Sequence, residues 1–123
     1  MWESRLEGLP GVALGGGIRL AVADAPVARL AGLAGLRTMP PRTGLLIPRC
    51  RSVHTFGMRF ALDLVWLGED GEIVDVSASV RPRRVVSRGH ARALVEAPAG
   101  KGAVFFTALV GAADRLTPYL RGP

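Results

Sequence analysis

Two β-branched, apolar runs, Phe60–Leu67 and Glu72–Val80, flank the polar turn Glu69-Asp70-Gly71. This spacing predicts a central hairpin. Two registers compete. A two-residue Asp70-Gly71 loop sets Glu69 against Glu72, a like-charge pair, and puts Trp66, Leu64 and Leu62 opposite Asp75, Ser77 and Ser79. A three-residue loop with Gly71 left-handed pairs Trp66 with Val74, Leu64 with Val76 and Leu62 with Ala78. Paired residues share a face, so the second register sorts apolar from polar and is the one expected. Under it, glutamate at Val74 unfolds the protein and glutamate at Ser77 does not. Asp63 and Asp75 become diagonal neighbours on the polar face, about 7 Å apart.

Elsewhere the pattern predicts short elements. Val12–Ala23 reads as a strand or bent hairpin, since Gly15-Gly16-Gly17 cannot sit in a strand interior. Asp24 before Pro26 is a helix-start signal, and Val27, Leu30 and Leu33 give the helix 25–34 one apolar face. Gly44–Ile47 is an apolar strand stopped by Pro48. Val85-Val86 reads as a short edge strand and 92–97 as a further strand. Residues 103–110 fit strand or helix equally, and 111–120 a short helix up to Pro118.

The chain has 123 residues, suited to a single domain with one core. No apolar run reaches transmembrane length. The N-terminus lacks the pattern of a signal peptide, and the lone Cys50 excludes an internal disulfide, so a cytoplasmic location is expected. The net charge is +6, and the charges are blocked. Residues 25–62 hold six arginines and no acid, 63–75 five acids and no base, and 76–95 five arginines and no acid. An acidic hairpin therefore lies between two basic stretches. Self-neutralisation within the fold explains this, and an anionic partner is the sharper alternative.

Candidate chemistry is sparse. The three glycines lack the spacing of a phosphate-binding loop. Cys50, His54 and Met58 are soft ligands at even spacing, but converge only if Ser52 or Gly57 bends the chain. Asp63 with Asp75 is a carboxylate pair, with Arg59, Arg81 and Arg92 as ordinary salt-bridge partners. Cys50 with His54 or His90 has no group to orient the imidazole. The segment Arg81–Arg92 could contact phosphates, yet it holds no aromatic residue for base stacking.

Three blocks in order carry a family resemblance. ARLAGLAGLRTMPPRTGLLI (28–47) follows a helix-then-loop pattern of the form ARGLMGR…LP…GMLF. HTFGMRFALDLVWLGEDGEIVDV (54–76) resembles a FWMKNT-IPLDI-F-D-G-I-V hairpin, and ALVEAPAG (93–100) a closing LELPAG turn. Together, over about 18–102, they resemble the domain of unknown function 192 family of small prokaryotic proteins. The resemblance implies a mostly antiparallel β structure with one or two short helices. Asp63 matches the family's recurrent aspartate, Asp70-Gly71 its turn and Ala99-Gly100 its closing turn. Where the family commonly has Trp-Met-Lys-Asn-Thr, this chain has His54-Thr55-Phe56-Gly57-Met58. Many members carry a secretory or lipoprotein signal. The resemblance implies a fold and no activity.

The expectation is an α+β domain, mostly antiparallel β, with a barrel-like sheet around the 60–80 hairpin, a family-like core over 18–102 and an extension over 103–123. The leading reading is a non-catalytic module binding a ligand or a protein. Its groove lies beside the hairpin, lined by His54, Thr55, Asp63, Asp75 and the basic loop with Arg83 and Arg84. It calls for no metal and no cofactor. The alternatives are an enzyme centred on Asp63 and His54, and a binder of acidic partners or nucleic acid through Arg81–Arg92.

Overall fold

The computed structural model describes residue 6, residues 8–24 and residues 38–120. The chain forms β1 (Gly11–Ala13), β2 (Arg19–Val22), β3 (Thr43–Pro48), β4 (Ser52–His54), β5 (Leu62–Leu67), β6 (Ile73–Val80), β7 (Val85–Ser87) and β8 (Ala93–Pro98). Two helices follow, α1 (Gly102–Val110) and α2 (Ala113–Leu120). The predicted helix over 25–34 lies outside the described residues.

Six strands form one sheet in the order β1-β2-β3-β8-β5-β6, while β4 and β7 form a separate two-stranded ribbon. Among the described residues, only β2 and β3 run parallel; the other pairs are antiparallel. The sheet is open, with β1 and β6 at its edges, so the expected barrel-like sheet does not close into a barrel. The architecture is α+β, as expected.

The sheet is covered on both faces. On one side Leu20, Val22, Leu46, Val65, Leu67 and Val95 pack with Phe105 and Leu109 of α1 and Leu116 and Leu120 of α2. On the other, Leu45, Ile47, Leu62, Leu64, Trp66 and Leu94 form a second cluster, against which Val53 and Val86 of the ribbon pack. Gly44 permits the close approach of α1: a Cβ there would lie 2.7 Å from the Phe105 ring. In α2, Pro118 cannot donate to the carbonyl of Asp114, and the Thr117 hydroxyl takes its place at 3.1 Å.

The predicted three-residue loop is present. Gly68 N–H donates to Glu72 O at 2.8 Å, Gly71 has φ +81°, and Leu67 faces Ile73. Beyond that pair the expected register fails. A bulge at Val74 places Trp66 opposite Asp75, Val65 opposite Val76 and Leu64 opposite Ser77. A second irregularity sets Leu62 opposite Val80. Sorting apolar from polar residues selects a register only where one face of the strand is wet. Every residue of β5 is buried, so apolar sorting between faces cannot choose its register. β6 is the edge, and Val74 and Val76, expected in the core, are 39% and 38% exposed. Polar pairing selects the register instead: the Trp66 indole N–H donates to Ser77 Oγ at 3.1 Å.

Candidate functional site

Asp63 sits where β5 passes the second bulge, on the helix-covered face of the sheet. Its carboxylate is buried and accepts three backbone N–H groups: Ser79 at 2.8 Å, Gly100 at 3.0 Å and Gly102 at 2.7 Å. Ser79 has φ +51°, the left-handed conformation that turns its N–H toward Asp63. Lys101, the residue before α1, makes no side-chain cap, so Asp63 supplies the missing acceptor from a distant strand. This carboxylate joins β5, the bulge of β6 and the start of α1.

Asp75 is on the opposite face, exposed beside Trp66. It pairs with the Arg88 guanidinium, which lowers its carboxyl below the ordinary range, helped by the N–H of Val76. Asp63 and Asp75 are therefore not the diagonal pair expected. The correction follows from the register: Asp75 shares the face of Trp66, and Asp63 points the other way. Arg88 also donates to Ser77 Oγ at 3.1 Å and lies 5.9 Å from the Trp66 ring centroid, so it ties the end of β7 to β6.

Thr55 is fully buried. Its hydroxyl donates to Arg81 O at 2.7 Å and accepts the Arg84 N–H at 2.9 Å. Its backbone N–H donates to Arg84 O, and its carbonyl accepts from Arg83 and Met58. Thr55 thus holds the 81–84 loop in a fixed shape, with Arg83 left-handed at φ +64°.

The ribbon pairs Ser52 with Ser87, Val53 with Val86 and His54 with Val85. Val53 and Val86 face the core, so the His54–Val85 pair faces outward. Val85 is 66% exposed and Phe56 51%, and the His54 and Phe56 rings lie 5.9 Å apart at 47°. Arg81, Arg83 and Arg84, all exposed, lead into β7 beside them. The structure therefore brings His54 onto one surface with Phe56 and Val85, sets Arg83 and Arg84 as exposed residues of the adjoining loop, and leaves Asp63 and Asp75 elsewhere. Phe56 and Val85 were missed. The Val85-Val86 doublet in an edge strand was the available signal, since one of the two must face out.

Cys50 and Met58 pack against the second core cluster, whereas His54 is exposed. Among the described residues, no group of three or more His, Cys, Asp or Glu side chains is gathered. No helix of the described residues is long and apolar enough to cross a membrane. One further buried carboxyl escaped the sequence reading. Glu96 in β8 lies between Leu45 and Leu64, with Oε1 lacking any hydrogen-bond partner, and burial pushes its pKa up to about 7.

Residues 12–105 match the family model of DUF192, described as Uncharacterized ACR. The chain belongs to the DUF192 family. Two solved structures are similar to this DUF192 chain. One, from Sinorhizobium meliloti 1021, is described as a candidate transcription regulator; it is 21% identical over 77% of this chain and 82% of its own, with a TM-score of 0.64. The other, a protein of unknown function from Novosphingobium aromaticivorans DSM 12444, is 15% identical over 82% of this chain and 89% of its own, with a TM-score of 0.62. At these identities the likeness concerns the DUF192 fold alone. No curated protein matches this chain.

Proposed function

We propose that this protein is a non-catalytic binding module whose contact surface is the outward face of the β4–β7 ribbon, and that its partner is an acidic protein segment. The observation that carries the reading is the pairing of His54 with Val85. It gathers an exposed apolar and aromatic centre, Phe56, His54 and Val85, beside Arg81, Arg83 and Arg84. Aromatic anchors flanked by arginine are the composition of contact hot spots. The Thr55 bonds hold the loop in one shape, so little ordering remains to oppose binding. The apolar centre favours a protein over a nucleic acid, because Val85 offers no stacking plane and Phe56 with His54 is a short platform.

His54, Arg83 and Arg84 keep the contact role expected of them, and Thr55 acts by fixing the loop. No observation favours an enzyme centred on Asp63 and His54. The oxygens of Asp63 are filled by backbone N–H groups, and His54 belongs to the ribbon on the other side of the sheet.

The test is fluorescence anisotropy with a labelled acidic peptide containing alternating Glu and Leu, and in parallel with a single-stranded oligonucleotide. Wild type should bind the peptide more tightly, with affinity falling as salt rises. Phe56→Ala and the Arg83→Ala/Arg84→Ala pair should each weaken binding at least tenfold. Equal affinity in the variants would refute the surface, and tighter oligonucleotide binding would replace the partner with nucleic acid.

A further inference from the structure

Strands β3, β5 and β8 are buried almost throughout, whereas no residue of the edge strand β6 is buried. The helix α1 overhangs this edge. At about 100° per residue, its side chains fall around the axis in the order Phe105, Leu109, Gly102, Phe106, Val110. A Cβ on Gly44 of β3 would meet the Phe105 ring, and a Cβ on Gly102 would meet the Asp63 carboxylate of β5. The series thus steps across the sheet from β3 to β5, and its next members, Phe106 and Val110, stand on the β6 side. They are 42% and 65% exposed. Gly102 is level with Asp63, and four residues of helix advance about 6 Å, close to two residues of strand. Phe106 is therefore level with Val65 and its pair Val76. Val65 belongs to the helix-side core, so Val76 shares that face, and it too is exposed. Phe106, Val110 and Val76 form one apolar flank.

The two ends of this edge carry opposite charge. Glu69 and Glu72 precede the strand and Arg81 follows it, all exposed. Asp75 is the single charge within the strand, and Arg88 offsets it. An edge that is acidic at one end, apolar in the middle and basic at the other is complementary to itself in the antiparallel sense. A two-fold axis near Val76 sets Arg81 of a second copy beside Glu72, Glu72 of that copy beside Arg81, and flank against flank. Asp75 then meets the Ser77 region of the second copy rather than another Asp75, so no like charges are opposed. The main chain of the edge is already partly used. Asp75 Oδ1 accepts the Val76 N–H at 2.8 Å, and irregularities on both sides interrupt the ladder. Side chains, rather than new strand hydrogen bonds, carry the contact.

We propose that β6 with the overhanging flank of α1 is the interface of a symmetric dimer, and that its occupant is a second copy of this chain. The eight residues of β6 span about 26 Å. A strip of that length, one strand and one helix deep, lies at the small end of stable interfaces, so a micromolar dissociation constant is expected. The interface lies on the helix side of the sheet and the ribbon surface on the other, so either can fail alone.

The experiment is sedimentation equilibrium of the full chain over a concentration series up to about 1 mM, with circular dichroism to check the fold of each variant. Wild type should pass from the mass of one chain to that of two and no further. Phe106→Glu, on the exposed side of α1, should weaken association about tenfold or more. Arg81→Glu should weaken it as well, and the swap Arg81→Glu/Glu72→Arg should recover it, because each reversed charge again meets its opposite. Phe56→Ala should dimerise as wild type does. A single-chain mass at every concentration, or a mass that grows past two chains, would overturn the proposal. So would dimerisation unchanged in both Phe106→Glu and Arg81→Glu, a folded swap variant no tighter than Arg81→Glu, or loss of the dimer in Phe56→Ala.

Discussion

Replacing Glu96 by Gln should raise stability above neutral pH and flatten its dependence on pH. Glu96 is 3% exposed, lies between two leucines and has an oxygen without a partner. Burial raises its pKa from 4.5 to about 7. The unfolded chain therefore loses this proton first as pH rises. From about 4.5 upward the folded state holds a proton that the unfolded state has released, so folding stability falls and reaches its floor above about 7. The full difference corresponds to about 3 kcal/mol. Gln keeps the shape and cannot ionise, but buries an amide at a cost of about 1–2 kcal/mol. The net gain of Glu96→Gln at pH 8 is then about 1–2 kcal/mol. Asp75 does not obscure this window, because its lowered pKa removes stability only when the solution is more acidic. The assay is urea denaturation of both proteins at intervals from pH 5 to pH 8. Wild type that is equally stable at both ends, or a Gln variant less stable at pH 8, would refute the reasoning.

Four other substitutions test the packing. Asp63→Asn removes acceptor capacity from three backbone N–H groups. It should cost about 2–4 kcal/mol in chemical denaturation and speed amide exchange at the start of α1. Val74→Glu, on the exposed edge strand, should change the melting temperature little, whereas Ser77→Glu should lower it clearly by displacing the Trp66 and Arg88 contacts. That order is the reverse of what the hydrophobic pattern alone predicts. Gly44→Ala should cost about 1–3 kcal/mol by overpacking, since the new methyl meets Phe105 while the Glu96 carbonyl is 3.1 Å away; calorimetry would show it.

The elements were legible where local chemistry decides them. Gly71 marked the hairpin turn, Gly15–Gly17 the bend between β1 and β2, and Pro48 the end of β3. The register was not, because it depends on what covers β5, and that is decided by residues 40 positions away in α1 and by the ribbon. Asp63 stood out as an acid inside an apolar strand that matches, by resemblance, the family's recurrent aspartate, but strand alternation cannot show that its neighbours are Gly100 and Gly102 of another turn. The basic segment was evident from its charge. Its aromatic neighbours were hidden, because His54, whose ring lies near that of Phe56, meets Val85 only through the β4–β7 pairing. Glu96 carried a faint signal, a lone acid inside the apolar run ALVEAP. A strand buried on both faces leaves such an acid nowhere to go.

The most direct test of the binding surface is a nitrogen–proton correlation spectrum of labelled protein titrated with the acidic Glu/Leu peptide. The account predicts amide shifts concentrated in residues 52–56 and 81–87, unchanged in position when Asp75→Asn is substituted. Shifts concentrated along the edge strand β6, or none at saturating peptide, would contradict it.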